Sequence, residues 1–438
     1  MPGGRKSSSV PTTRLGRIVQ FGLMSGELAV ATAIGAAKQV SRGERPDLAA
    51  AALSPGNAQM LAKRLSGLRG PAMKLGQLLS LQGEDLVPEE FRAALTSLRS
   101  QGYSMPETQL RRVLGREYGR GWRAKFRDFD FEPVAAASIG QVHRATRRDG
   151  RRLALKVQYP GVARSIDSDV DNLASLLRRL DFLPMKLDVA EIVAEAKRQL
   201  RVETDYEAEA DNLAKYHRLV ADMPGVVVPR VDRSLSTRRI LAMEWIEGDP
   251  LGSIADESVP QSVRDHAARS LLELLFREFF EFRFMQTDPN VDNYLYRRDA
   301  GVIALLDFGS VGRYSAEFVE GMRRISRAAI AGDEAGIRAG AFEAGYAHPD
   351  DPEDVISNSV AMIRLACEPI ARPGPYDFAS AGLMARARDH GIAAAFGEGL
   401  RPPPTATMFL HRKMAGTFLL CAQLRARVDM HAIAARYL

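Results

Sequence analysis

The chain has 438 residues, 46% hydrophobic and 26% charged, the balance of a folded globular protein with room for two domains or for one two-lobed domain with additions. Lys and Arg number 60 against 54 Asp and Glu, a formal net charge of +6; so mild an excess excludes the concentrated basic face of a nucleic-acid-binding protein. Cys367 and Cys421 are the two cysteines; they lack ligand-like spacing and read as buried thiols in a reducing, cytoplasmic compartment, which excludes a zinc site.

In chain order, Met1–Thr13 is polar and reads as a disordered tail. The start through Gly26 carries Arg5, Lys6, Arg14 and Arg17 and no acid, so a transit peptide is the alternative to a plain tail. Ile18–Ala37 is the most apolar N-terminal run, but Glu27 lies near its middle. A carboxylate there costs about 2.5–3.5 kcal/mol on insertion scales, which favours a helix resting on a membrane surface over one that spans it. Helical signals continue to about Leu114. Gly70-Pro71 interrupts them, and Pro71 suits the first position of a new helix. In that helix Leu75, Leu78 and Leu79 recur at helical spacing, while Lys74 and Gln77 share a neighbouring stripe that alone reads as a solvated face.

From about Lys125 the period changes to that of strands, over Phe126–Ala137, Gln141–Arg147 and Arg152–Tyr159, the last two joined by the turn Asp149-Gly150. Lys156 sits mid-strand among apolar residues, where a lysine needs a partner or an opening to water. Asp188–Val220 reads as one long helix that ends in an acidic cluster: Glu203, Asp205, Glu207, Glu209 and Asp211. Strands at Val226–Pro229 and Arg239–Trp245 are expected to complete a five-stranded lobe. Ser262–Phe284 is apolar nearly all round, the pattern of a buried helix in a second lobe. After a helix over Ser315–Ala331, residues 332–438 are helical and end in an amphipathic segment, Phe409–Val428, that carries Arg412, Lys413, Arg425 and Arg427.

The chemistry concentrates in Gln286–Gly309, QTDPNVDNYLYRRDAGVIALLDFG. Asp288 opens a loop, Asn293 follows five residues on, and Asp307-Phe308-Gly309 comes after a hairpin-like segment. This is the pattern of a kinase-like phosphoryl-transfer site, in which the first Asp orients a nucleophile while the Asn and the second Asp hold magnesium on the phosphates. Magnesium takes hard oxygen ligands, which an amide and a carboxylate supply. In the same pattern Lys156 contacts the nucleotide phosphates, and the acidic cluster stands where the lysine's Glu partner belongs. The turn Ala135-Ala136-Ala137-Ser138-Ile139-Gly140 covers the phosphates, and the Glu244–Gly248 stretch is the hinge, with Glu244 and Ile246 offering backbone groups to adenine. Three features depart from protein kinases. The phosphate-covering turn has alanines in place of glycines. Asn290 stands where a lysine follows the catalytic Asp by two residues. Only a few residues separate Gly309 from the next helix, too few for a peptide-docking platform. These favour a small-molecule or other non-protein acceptor, or water.

The combination resembles the UbiB/AarF family of atypical kinases. The matching stretches are Lys74-Leu75-Gly76-Gln77 (the family's KxGQ), Ala135–His143, Leu155–Gly161, Glu203-Thr204-Asp205-Tyr206 with Glu209 and Asn212, Asp288–Asn293, Asp307–Gly309, and Leu410–Lys413 with Gly416. The resemblance implies an α+β, two-lobed protein-kinase-like fold with an N-terminal KxGQ helical extension and a helical C-terminal region. The expected pieces are a basic tail with a membrane-surface helix (1–40), the KxGQ extension (41–120), an N-lobe (121–248), a C-lobe (249–345) and a C-terminal extension (346–438). By position, Lys156 pairs with Glu209, and Asp288, Asn293 and Asp307 are the catalytic and magnesium residues. Lys74, Gly76 and Gln77 meet Glu203 and Asp205 over the site and block protein substrates. The family's alanines imply a preference for ADP over ATP. Its activity is magnesium-dependent ATP hydrolysis coupled to ubiquinone precursors or related isoprenoid lipids, peripheral to a membrane. The family's DPHPGN loop reads here as Asp288-Pro289-Asn290-Val291-Asp292-Asn293. Two other functions fit parts of the pattern: a small-molecule kinase of the aminoglycoside-phosphotransferase type, and a nucleotide-binding regulator with little turnover. No motif specifies an oligomeric state.

Overall fold

The computed structural model describes residues 105–137, 139–179, 189–396 and 405–438. Lys74, Gly76, Gln77, Ser138 and the Ile18–Ala37 segment lie outside the described residues. Those that are described fall into two compact units: the first runs to Ala210 and takes in Val231–Trp245, and the second comprises Asp211–Arg230 and Ile246–Leu438.

The first unit is built on an antiparallel sheet with the spatial order Phe126–Phe129, Gly140–Arg147, Arg152–Gln158, Ile240–Glu244, and the two-residue strand Ala135–Ala136 pairs with Gly140–Arg147. Arg152–Gln158 is the central strand and is buried from Leu153 onward, which explains its near-continuous apolar run. Gly150 closes the preceding turn with φ 88, a conformation that suits glycine. The single strand expected over Phe126–Ala137 is broken. The Asp130 carboxylate accepts from the Glu132 N–H and Pro133 follows, so the chain turns out of the ladder where proline has no N–H to give. The helix expected over Asp188–Val220 is two helices, Val189–Glu203 and Tyr206–Leu219. Asp205 divides them, its carboxylate accepting from the Ala208 N–H at 3.0 Å as an N-cap. The strand expected at Val226–Pro229 does not join this sheet. Val226 and Val227 pair in parallel with Ile303 and Ala304 of the second unit, so the fifth member of the first sheet is Ala135–Ala136.

The second unit holds a four-stranded sheet in the order Val226–Val227, Val302–Leu305, Tyr294–Arg297, Asp249–Pro250, packed among helices. Gln261–Phe276 is helical and runs into a π-helical turn, Arg277–Glu281. The expected helix stops short of Phe284 because Arg283 takes φ 49 and Phe284–Gln286 pairs with Val311–Arg313. Ser315 caps Ala316–Ala331, its hydroxyl accepting from the Phe318 N–H at 3.1 Å. Glu353–Ala371, Leu383–Phe396 and Thr405–Gln423 follow. The last long helix ends before Val428: Arg425 takes φ 50 and Arg427–Val428 pairs with Tyr376–Asp377. Cys421 is buried and Cys367 half-buried. Among the described residues no helix is long and apolar enough to cross a membrane.

Candidate active site

Each unit carries its own set of candidate residues. In the first, the Lys156 Nζ lies 2.8 Å from Glu209 Oε1 and 3.2 Å from Oε2. The two side chains are 10% and 2% exposed, so each charge depends on the other for its solvation. Position follows from the local folding: Lys156 is on the central strand opposite Val142 and Leu241, and Glu209 is in the first turn of its helix, where the helix dipole favours an acid. Asp205 caps that same helix, and Glu203 ends the one before it.

The alanine turn is tight. Ala135 pairs with Val142, Ala136 with Gln141, and the Ala137 N–H donates to the Gly140 carbonyl at 2.9 Å. Ala135 is exposed and Ala136 half-buried, so their methyl groups are not spent on core packing. Gly140 is a glycine for lack of room: a Cβ would lie 2.4 Å from the Val157 carbonyl oxygen. Behind the turn runs a buried chain of hydrogen bonds. Gln141 Oε1 accepts from the Met105 N–H at 2.7 Å, the Gln141 amide group meets His143 Nε2 at 2.7 Å, and His143 Nδ1 meets the Asp130 carbonyl at 2.9 Å. These partners demand a neutral imidazole with its proton on Nδ1, and burial lowers the His143 pKa to about 4. At the other end of the sheet Glu244 pairs with Leu153 and the Trp245 N–H donates to the Arg152 carbonyl at 3.0 Å. The first unit ends here, and Ile246 begins the next stretch of the second.

In the second unit the loop after Phe284–Gln286 is held from several sides. Gln286 Nε2 donates to the Asp288 carbonyl at 2.6 Å, and Asn293 Nδ2 meets both the carbonyl and Oδ2 of Asp288 at 3.3 Å. Asn290 caps a single 3-10 turn, Val291–Asn293, its side chain accepting from the Asp292 N–H. Asn290 therefore closes the loop locally. The Leu306 N–H donates to the Asn293 carbonyl at 3.0 Å, which sets Asn293 beside the start of Asp307-Phe308-Gly309. Asp307 Oδ1 accepts from the Gly309 N–H at 3.0 Å, and Thr287 and Ser310 bond through their hydroxyls at 2.7 Å. Phe308 is fully buried against Tyr216, ring centroids 4.6 Å apart, and the Asn212 amide donates to its carbonyl at 3.1 Å. With its nitrogen turned to Asp288, the Asn293 amide has its oxygen as the atom that could meet a metal. One amide oxygen and one carboxylate form a hard-oxygen pair that fits magnesium, which retains waters and binds through few protein ligands plus phosphate.

A buried pair of a strand lysine and a helix glutamate, with an Asp-x4-Asn loop and Asp-Phe-Gly flanking a hairpin, defines a kinase-like phosphoryl-transfer enzyme. Residues 97–340 match the ABC1 atypical kinase-like domain. The mitochondrial atypical kinase COQ8 of Saccharomyces cerevisiae is 35% identical, over 97% of this chain and 84% of that protein. COQ8B of Rattus norvegicus is 36% identical over 97% of this chain and 80% of that protein. Against coq-8 of Caenorhabditis elegans the identity is 37% over 96% of this chain, which spans 57% of that longer protein. Among solved structures, Rv3197 of Mycobacterium tuberculosis in complex with erythromycin superposes with a TM-score of 0.63 at 28% identity, over 85% of this chain and 93% of that one. The chain belongs to the ABC1 (UbiB/AarF) family of atypical kinases, and the family, fold and enzyme class expected from the sequence hold.

Two contacts escaped the sequence reading. Arg412 Nη2 lies 2.6 Å from Asp288 Oδ1, a pairing across 124 residues that no spacing rule reveals. Lys413, 2% exposed, reaches fully buried Glu278 at 3.2 Å, Gln286 Oε1 at 3.0 Å and the Tyr294 hydroxyl at 3.4 Å. Burial raises the Glu278 carboxyl to about 7 although Lys413 opposes the shift. Burial is the largest single influence on Lys413 and works against its charge, but Glu278 and Tyr294 together outweigh it and the ammonium pKa rises. Here a signal existed: Glu278 interrupts Leu274-Leu275-Phe276-Arg277-Glu278-Phe279-Phe280, and a carboxylate in so apolar a run needs a buried cation.

Proposed function

We propose that this enzyme binds a magnesium nucleotide and hydrolyses or transfers its terminal phosphoryl group in support of ubiquinone or related isoprenoid-lipid metabolism, as a peripheral protein at a membrane face. The observation that carries the nucleotide half is the Lys156–Glu209 pair at 2.8 Å. In this chemistry the lysine neutralises nucleotide phosphates and the glutamate keeps it charged and aimed. Asp288 orients the attacking oxygen; Asn293 and Asp307 would hold magnesium, which when bound would supply charge neutralisation to the phosphates. In hydrolysis a bond forms from water oxygen to the γ-phosphorus as the bond to the β,γ-bridging oxygen breaks. The bonding pair leaves with ADP, and the water proton passes by way of Asp288 to solvent. Ala135, Ala136, Ala137, Ser138 and Gly140 cover the phosphates, with Glu244 and Ile246 at the adenine. Lys74, Gly76 and Gln77 act with Glu203 and Asp205 to exclude protein substrates.

The lipid half is supported by the relatives' names and by a cavity of about 460 Å³ within the second unit. Phe276, Phe279, Met322, Met362, Met384 and Met414 are among its walls, apolar and, through methionine, adaptable. Its polar groups include Asp354, Asn358 and a stacked pair, Tyr346 hydroxyl to His411 Nε2 at 2.7 Å. Such a wall favours an uncharged apolar molecule with a hydrogen-bonding head. Magnesium-dependent ATP hydrolysis by the full chain, with and without anionic liposomes carrying an isoprenoid phenol, tests both halves. We expect hydrolysis alone and a faster rate with the loaded vesicles. A rate indifferent to the lipid would remove the lipid half, and no hydrolysis or transfer under any condition would remove the first.

A further inference from the structure

We infer that Arg412 is the cation of the phosphoryl-transfer loop, supplied by the C-terminal helix in place of the lysine that Asn290 displaces. This rests on the phosphoryl-transfer role proposed for Asp288. In a kinase-pattern loop a cation two residues past the catalytic Asp stands beside its carboxylate and balances charge on the group being transferred. Here that position holds Asn290, which is uncharged and committed to capping the Val291–Asn293 turn. The positive charge arrives from elsewhere: Arg412 Nη2 is 2.6 Å from Asp288 Oδ1, with the two side chains 11% and 20% exposed. Partial burial strengthens such a pair relative to a surface one. The helix that brings it, Thr405–Gln423, lies beyond the matched kinase-like domain, which ends at residue 340.

The helix is fixed against the loop immediately after Arg412. Lys413 holds Gln286 and Tyr294, and Gln286 in turn holds the Asp288 carbonyl. Gly416 packs so closely on Pro289 that a Cβ would lie 2.1 Å from its Cγ. These anchors, one and four residues on, hold Arg412 facing Asp288. A guanidinium offers five donors on a planar fork that matches phosphate oxygens, so one edge can hold the carboxylate while another meets the transferring group.

The test compares wild type, Arg412→Ala, Arg412→Lys and the double variant Arg412→Ala/Asn290→Lys, all as the full chain. We expect Arg412→Ala to weaken magnesium-ATP at least tenfold more than magnesium-ADP in direct titration, because its charge serves the γ-phosphate. Turnover should fall on the order of 100-fold, somewhat less than the roughly 10³–10⁵ that arginine fingers contribute, because Arg412 also spends part of its charge on Asp288. Added guanidinium ion, Arg412→Lys, and the lysine restored at position 290 should each recover at least tenfold of that loss. Equal weakening of ATP and ADP, or turnover in Arg412→Ala equal to or above wild type, would overturn the inference. So would a fall that neither guanidinium nor Asn290→Lys repairs. The ATP-against-ADP comparison stands even without turnover, so failure of hydrolysis and failure of the Arg412 assignment are told apart.

Discussion

Two single residues carry most of the chemistry that can be tested by substitution in the first unit. Glu209 neutralises a lysine that is only 10% exposed, and removing one partner of a buried pair typically costs about 3–5 kcal/mol. Glu209→Gln is therefore expected to destabilise the first unit by several kcal/mol, and Lys156→Met/Glu209→Gln to recover part of that. Urea unfolding followed by fluorescence measures this directly, since both tryptophans of the chain, Trp122 and Trp245, belong to that unit. Ala137 is expected to bear on a different property. Its N–H closes the turn on Gly140, and a methyl at each alanine narrows the backbone geometry that glycine would allow. Ala137→Gly is expected to tighten ATP binding and bring autophosphorylation, read by nucleotide titration and a labelled-phosphate assay. Unchanged ATP affinity with no autophosphorylation would mean that the alanines place no restraint on the nucleotide.

At the scale of elements, the strands bearing Lys156 and Gly140 were legible because short apolar runs ended at turn residues such as Asp149-Gly150. Elements failed where local pattern met a tertiary partner. Val226–Val227 reads as a strand in any context, and only pairing with Ile303–Ala304 assigns it to the second unit. The long acidic helix is divided by Asp205, which was visible in the sequence but read as part of the cluster instead of as a cap. The Gln141–His143 pair gives the first sheet a pH dependence. His143 is fully buried, with its pKa lowered from 6.5 to about 4 by burial, so the unfolded chain binds the extra proton across that window. Stability is full above about pH 6.5 and falls as pH drops through 4, by roughly 3 kcal/mol for such a shift. The urea midpoint by tryptophan fluorescence should drop between pH 6.5 and 4, and His143→Phe should flatten the slope. An equal slope in both proteins would assign the loss to other groups.

For the whole molecule, the family and its kinase-like fold were legible because the motifs are dense and ordered along the chain, while the grip of the C-terminal helix on the catalytic loop was not. Arg412, Lys413 and Gly416 meet residues more than a hundred positions away, and charges on an amphipathic helix ordinarily face water. The N-terminal basic tail and Ile18–Ala37 are expected to draw the protein to anionic lipid, at about 1 kcal/mol per basic residue near the surface. Liposome co-sedimentation should fall with added salt and with deletion of residues 1–37; undiminished pelleting of the truncated chain would place the contact elsewhere.

Whether Asp307 is the metal ligand proposed above decides whether the second unit takes part in phosphoryl transfer at all. Asparagine there can still accept from the Gly309 N–H, so Asp307→Asn should keep the fold while losing the charge that magnesium needs. The most direct measurement is phosphate release from ATP by the wild type and Asp307→Asn across a magnesium titration. Release that requires magnesium in the wild type and falls at least 100-fold in the variant is the predicted result; equal release by both proteins, or release independent of magnesium, would contradict it.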